Sequence, residues 1–169
     1  MFVSNVTTRI ESQGVQRWQD TFEVDLLQHI RAVNAVLPYL KQGESPSIVF
    51  IASIASVMSG NMPSETEYGT MKAALISYAS QLANTLGKEG IRVNIVSPGP
   101  IYHEGGFWQM VEQHKPDLFK RAEAVSVFNR LGTAQEVANA VTFFASPAAS
   151  NITGANLRVD GGAIKTVNF

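Results

Sequence analysis

Cysteine is absent from the 169 residues, which excludes disulfides and thiolate chemistry. An excess of one charge is missing too. Thirteen basic and 14 acidic residues leave a net charge of −1, so no bulk field favours nucleic acid or anionic lipid. No apolar run is long enough to span a bilayer, and the opening Met-Phe-Val-Ser-Asn has neither the basic nor the apolar part of a secretion signal. The expectation is a cytoplasmic protein with no membrane and no nucleic-acid partner. On that expectation the two glycosylation patterns, at Asn5 and Asn151, are chance matches. No internal repeat or low-complexity tract occurs. His29 and His114 have no partner at ligand spacing, and His103-Glu104 lacks the second histidine of a zinc helix motif, so no metal site is expected.

What is present alternates short apolar runs with longer periodic stretches. Phe2-Val3 reads as the end of a strand. Trp18, Phe22, Leu26, Ile30, Val33, Leu37 and Leu40, spaced by three and four, predict one face of a long helix. Pro38 should loosen its last turn and Gly43 end it. Residues 47–52 and 91–96 are short β-branched runs of the kind buried on both faces of a parallel sheet. Two capping boxes, Ser64 with Glu67 and Thr133 with Glu136, open helices running to about 88 and 145. Residues 156–159 form a last strand, ended by a turn at Asp160-Gly161-Gly162. Strand and helix in alternation predict an α/β domain over residues 1–169, with a parallel sheet and helices on both faces. Residues 103–130 break the rhythm after a strand's C-terminal end, where open α/β sheets bind ligands, and read as a lid. Phe107 and Trp108 in it line a pocket or simply pack. Trp18, Phe22, Phe143 and Phe144 read as core or interface.

Tyr68 and Lys72 stand four apart on a capped helix and share a face. An ammonium beside a phenol favours the phenolate and brings proton transfer toward neutral pH. Ser53 follows the 47–52 strand, at the sheet edge where the Tyr68 helix begins. Its hydroxyl there is suited to hydrogen-bonding a substrate carbonyl as charge develops on the oxygen.

Ser53, Tyr68-Gly-Thr-Met-Lys72, the run from Gly90 to Gly99, Thr153-Gly154 and Val159-Asp-Gly-Gly162 together resemble the motifs of the short-chain dehydrogenase/reductase family, in that family's order. Ser4-Asn-Val-Thr7 resembles a diverged form of its Asn-Asn-Ala-Gly stretch. The resemblance implies a partial Rossmann-like, doubly wound sheet equivalent to the family's strands 4-5-6-7. It implies hydride transfer between NAD or NADP and a secondary alcohol or ketone. Tyr68 would be the general acid/base, Lys72 would lower its pKa and hold the nicotinamide ribose, and Ser53 would orient the carbonyl. Pro98-Gly99 would pack on the nicotinamide, the Ile101 backbone would bond its carboxamide, and Asn5 would support the sheet near the adenosine. It also implies a homo-oligomer, dimer or tetramer, packed through the two long helices, with a second interface at the last strand.

The chain departs from the family in several places. The glycine-rich turn that holds the pyrophosphate has no match, and Gly60, Gly87 and Gly90 lack its setting. The residue that selects between the two nicotinamide cofactors is missing with it. On the resemblance, three strands and their helices are absent, which leaves Phe2-Val3 as an open edge. Asp25 stands where the family presents an asparagine to the catalytic group. His103 replaces a threonine that bonds the carboxamide. The interval from Ser53 to Tyr68 leaves Ser56 as an alternative serine. Two other functions therefore stand beside the redox one: a non-redox degenerate homologue acting as an interaction partner, and a lyase or epimerase using the same tyrosine and lysine.

Overall fold

The computed structural model describes residues 1–7, 10–59 and 66–167. Four parallel strands make the main sheet: β1 (Phe2–Ser4), β2 (Ser47–Ile51), β3 (Arg92–Pro98) and β6 (Asn156–Val159), in the order β1-β2-β3-β6. The expected parallel sheet is therefore present, in chain order. A two-stranded parallel ladder, β4 (Ile101–Tyr102) with β5 (Gly132–Thr133), lies beyond the end of β3. The helices are α1 (Gly14–Phe22), α2 (Gln28–Leu40), α3 (Thr66–Gly87), α4 (Phe107–His114), α5 (Pro116–Val125) and α6 (Ala134–Ala145).

Each central strand is buried on both faces because helices cover both. Ile48, Phe50, Val93 and Ile95 pack with Val33, Leu75 and Ala79 of α2 and α3. Val49 and Val96 point the other way, onto Phe144 of α6 and Ala149. The β-branched runs are continuous for this reason: both parities of the strand meet apolar neighbours. Burying Phe50 alone stabilises by about 2–3 kcal/mol.

Polar residues close the sheet against its loops. The Asn94 amide donates to the Ile152 carbonyl at 2.8 Å and its oxygen accepts from Ala155 N–H at 3.0 Å. Arg92 donates to the carbonyls of Phe144, Ala149 and Ser146, which gathers the chain leaving α6. The Thr133–Glu136 capping box forms as expected, and Arg130 clasps Glu136 with both guanidinium nitrogens, at 3.0 and 2.6 Å. Those bonds hold the Glu136 carboxyl down at about 2. Ser64, the other predicted cap, lies outside the described residues. The Asp160 carboxylate accepts from Gly162 and Ile164 N–H, with Gly161 and Gly162 at positive φ, so the predicted turn is present.

Residues 103–130 are not a bare loop. They carry α4 and α5, whose Trp108, Val111 and Ala122 pack with Leu131, Leu118 and Phe119 into a small core of their own. Trp108 is buried in it, whereas Phe107 is half exposed.

The long helix buries a polar stripe beside the apolar one that its spacing predicts. Its interior residues are Thr21, Asp25, His29 and Val33, each 2% exposed or less. The predicted apolar stripe is divided: Val33 and Leu40 are buried and Leu26 and Leu37 pack against the core, whereas Trp18 and Phe22 are exposed, and Leu26 and Ile30 also line a surface groove with Tyr78 and Leu82 of α3. Between α1 and α2 the helix widens into a π-turn, Glu23–Leu27. Such a turn aims an extra residue inward, and these turns concentrate at functional sites. Here that residue is Asp25.

Candidate active site

Three elements meet at the C-terminal end of β2. The first is the turn after the strand. Ser53 has extended backbone and caps the 3₁₀ turn Ile54–Ser56, its oxygen accepting from Ala55 N–H at 3.1 Å. Accepting that bond leaves the Ser53 hydroxyl proton free to donate. The Ser56 hydroxyl, by contrast, donates to the Ser53 carbonyl at 2.7 Å.

The second element is α3, which crosses this turn closely. A Cβ on Gly69 would stand 2.7 Å from the Ala55 carbonyl oxygen. Glycine next to Tyr68 is thus what lets the helix approach the Ser53 turn. Nothing in the helical pattern marks this; a lone glycine inside a predicted helix is the only signal.

The third element is the π-turn. It delivers Asp25 to Lys72, whose ammonium nitrogen is 3.0 Å from Asp25 Oδ1 and 3.4 Å from the Ile51 carbonyl oxygen. Both side chains are enclosed, at 2% and 1% exposure. The same ammonium lies 5.4 Å from the centre of the Tyr68 ring. Burial lowers the Lys72 pKa, and the Asp25 charge opposes that shift. An ammonium has three protons, and two acceptors face this one, which leaves a proton for a further oxygen. A ribose hydroxyl is such an oxygen, so the donor set fits a nicotinamide riboside.

The remaining predicted residues spread along the sheet's C-terminal edge. Pro98 ends β3, and Gly99 donates its N–H to the Val159 carbonyl at 3.0 Å. Ile101 begins β4, with its side chain against Gly132. Asn5 is exposed just past β1. His103 is exposed and bent back over Gly106, its Nδ1 3.0 Å from the Glu104 carbonyl oxygen. Ser53, Tyr68, Lys72 and Asp25 are therefore brought together, while Asn5 and His103 are exposed. Missed by the sequence reading are Gly69, the π-turn and the interior position of His29. The sequence marks His29 only as a histidine without a partner at ligand spacing.

The family described as enoyl-(acyl carrier protein) reductase matches residues 2–163. The chain belongs to the short-chain dehydrogenase/reductase family. It is 35% identical over 162 residues to an isoepoxydon dehydrogenase of Aspergillus clavatus, covering 96% of this chain and 62% of that protein. It is 34% identical over 147 residues to the 3-oxoacyl-acyl-carrier-protein reductase FabG of Escherichia coli, covering 87% and 57%. A solved short-chain dehydrogenase/reductase of Burkholderia thailandensis superposes with a TM-score of 0.84 at 30% identity, covering 97% of this chain and 64% of that one. The structure titled ElxO with NADP bound has a TM-score of 0.85 at 23% identity and shares the fold. The chain thus spans about three-fifths of the length of these relatives. Among the described residues no helix is long and apolar enough to cross a membrane.

Proposed function

We propose that this chain carries the catalytic side of an NAD(P)-dependent oxidoreductase that interconverts a secondary alcohol and a ketone. The observation that carries the reading is the enclosed Lys72, held between Asp25 and the Ile51 carbonyl beneath the Tyr68 ring. Tyr68 is the general acid/base that gives or takes the hydroxyl proton. Lys72 keeps a positive charge beside it and offers its remaining proton to the ribose. Ser53 donates to the substrate oxygen and fixes its orientation. Asp25 holds Lys72 in place and cancels part of its charge.

The nicotinamide supplies the hydride acceptor or donor. Pro98, Gly99 and Ile101 hold its ring side, Asn5 supports the adenosine side, and His103 covers the carboxamide after turning from Gly106. The 103–130 segment serves as a lid, and Phe107, half exposed on it, meets the substrate. NADP in a neighbour of the same fold supports the cofactor class. The exposed Trp18 and Phe22 and the groove of Leu26, Ile30, Tyr78 and Leu82 support a homo-oligomer built on the long helix from α1 through α2 and on α3. Light scattering on the purified protein tests that assembly.

The test of the reaction follows absorbance of the reduced nicotinamide with the full-length gene product. NAD and NADP are each paired with a panel of secondary alcohols and ketones, isoepoxydon included. Turnover that disappears in Tyr68→Phe is expected. A properly folded full-length protein inert toward the whole panel would overturn the reading.

A further inference from the structure

The interior stripe of the long helix is polar where an amphipathic helix should be apolar. Thr21, Asp25 and His29 are spaced by four and enclosed, ahead of Val33. Thr21 is accounted for, since its hydroxyl donates to the Arg17 carbonyl at 2.7 Å. Asp25 is paired through Oδ1 with Lys72 and His29 through Nδ1 with Ser4, but each keeps a polar atom without a partner. Among the described residues, the buried side-chain atoms without a hydrogen bond belong to these two alone, and they include Asp25 Oδ2 and His29 Nε2. Buried polar groups are normally satisfied, so two orphans one turn apart on one face need an explanation.

The surroundings supply one. His29 Nδ1 is 2.5 Å from the Ser4 hydroxyl oxygen at the end of β1. A hydroxyl that donates to Nδ1 leaves the ring proton on Nε2. Phe50 meets the ring edge-on at 6.1 Å, and Tyr78 touches Phe50 in turn. The charged groups that reach His29 are Lys72 from α3 and Asp25 from the π-turn. Burial foremost, then the Lys72 charge, lowers its pKa to about 4, against opposite pulls from Asp25 and from a hydrogen bond to the Val6 backbone. The imidazole is thus neutral under physiological conditions.

We propose that His29 is a positioning residue of the oxidoreductase site, linking Ser4 to Asp25 and through Asp25 to Lys72, with its Nε2–H committed to the Asp25 carboxylate across one water. The inference rests on the oxidoreductase reading above. Donation from Nε2 draws carboxylate charge away from Lys72. The ammonium then acts more fully on Tyr68. Ser4 sets the tautomer that makes this possible.

Nitrogen-15 NMR of the histidines in the full-length protein tests the linkage without any turnover. His29 should titrate near 4 and show one neutral tautomer, with the proton on Nε2. Lys72→Met should raise that pKa, and Asp25→Asn should lower it. A pKa near 6.5, a proton on Nδ1, or indifference to both substitutions overturns the inference. The kinetic arm uses His29→Asn, which keeps a partner for Ser4 and removes Nε2. Its kcat should fall several-fold with KM little changed, and the kinetic pKa of the acid/base should rise by about half a unit. A purely structural His29 leaves the pH profile where it was, which also sinks the proposal. If NMR shows the linkage and no substrate turns over, the redox reading fails by itself; if turnover is normal and the linkage is missing, only this inference falls.

Discussion

The Lys72 neighbourhood and the 103–130 segment lie along the same end of the sheet but are built differently. Lys72, Asp25 and His29 are enclosed by the turn after β2, the π-turn and α3, each anchored in the main core. The 103–130 segment rests on a small core of its own and exposes Phe107, Val127 and Phe128. A group whose charge must be set accurately needs a low-dielectric, over-determined setting. A surface that selects among substrates gains from being separable from that setting. The proposed chemistry and the proposed specificity therefore occupy regions that substitutions should affect independently.

Removing the phenol gives the largest expected effect. Tyr68→Phe should lower kcat/KM by about 10²–10⁴-fold and leave the thermal midpoint unchanged, as read by steady-state kinetics and calorimetry on the full-length protein. Equal losses of stability and activity would erase the contrast between the two regions.

Next comes the ion pair. Lys72→Met strands Asp25 as a buried charge and should cost about 3–5 kcal/mol in urea unfolding. Adding Asp25→Asn should recover most of that loss, because no charge is then left uncompensated. Asp25→Asn alone should move the kinetic pKa of the acid/base downward, since Lys72 is no longer partly neutralised.

Acid should act on the same neighbourhood. The His29 pKa is lowered to about 4 in the folded chain from an ordinary 6.5, so the unfolded chain binds the extra proton first. Stability should therefore decline as pH falls from 6.5 toward 4, by up to about 3 kcal/mol. Glu136, depressed to about 2 from 4.5, contributes stability that is lost only below 4.5. Chemical denaturation at pH 6.5, 5.5 and 4.5 isolates the histidine, and His29→Asn should flatten that profile.

Gly69→Ala sets a methyl 2.7 Å from the Ala55 carbonyl oxygen and should cost about 1–3 kcal/mol. Activity should fall with it, because the Ser53 turn and α3 separate. A neutral result would show that the close approach is not needed.

Phe107→Ala should matter least to the fold, within about 0.5 kcal/mol, while changing KM unequally across the alcohol panel. Uniform KM values would detach the segment from the substrate.

Much of the architecture was legible because its signals are local. The β-branched runs became β2 and β3, and Thr133 with Glu136 capped α6 as a reader of spacing expects. The resemblance carried by Ser53, Tyr68 and Lys72 led to a family that the comparisons bear out. The long helix was legible only in part. Trp18, Phe22, Leu26 and Ile30 belong to its apolar stripe, and hydrophobic periodicity alone does not say whether the core or another subunit covers it. The fold buries Thr21, Asp25 and His29 together with Val33 and Leu40, and leaves Trp18 and Phe22 exposed near a surface groove.

The amino-acid sequence by itself determined the order of the four main-sheet strands and the long helices between them, the parallel sheet and the family, because periodicity, capping and motif spacing are written along the chain. Only the tertiary structure decided that Asp25 and Lys72 form an enclosed pair, that Gly69 admits α3 to the Ser53 turn, and that His29 stands behind that pair on Ser4. The reason is physical. A residue's charge state depends on what encloses it and on which charges lie within a few ångströms, and those neighbours come from segments far apart in sequence.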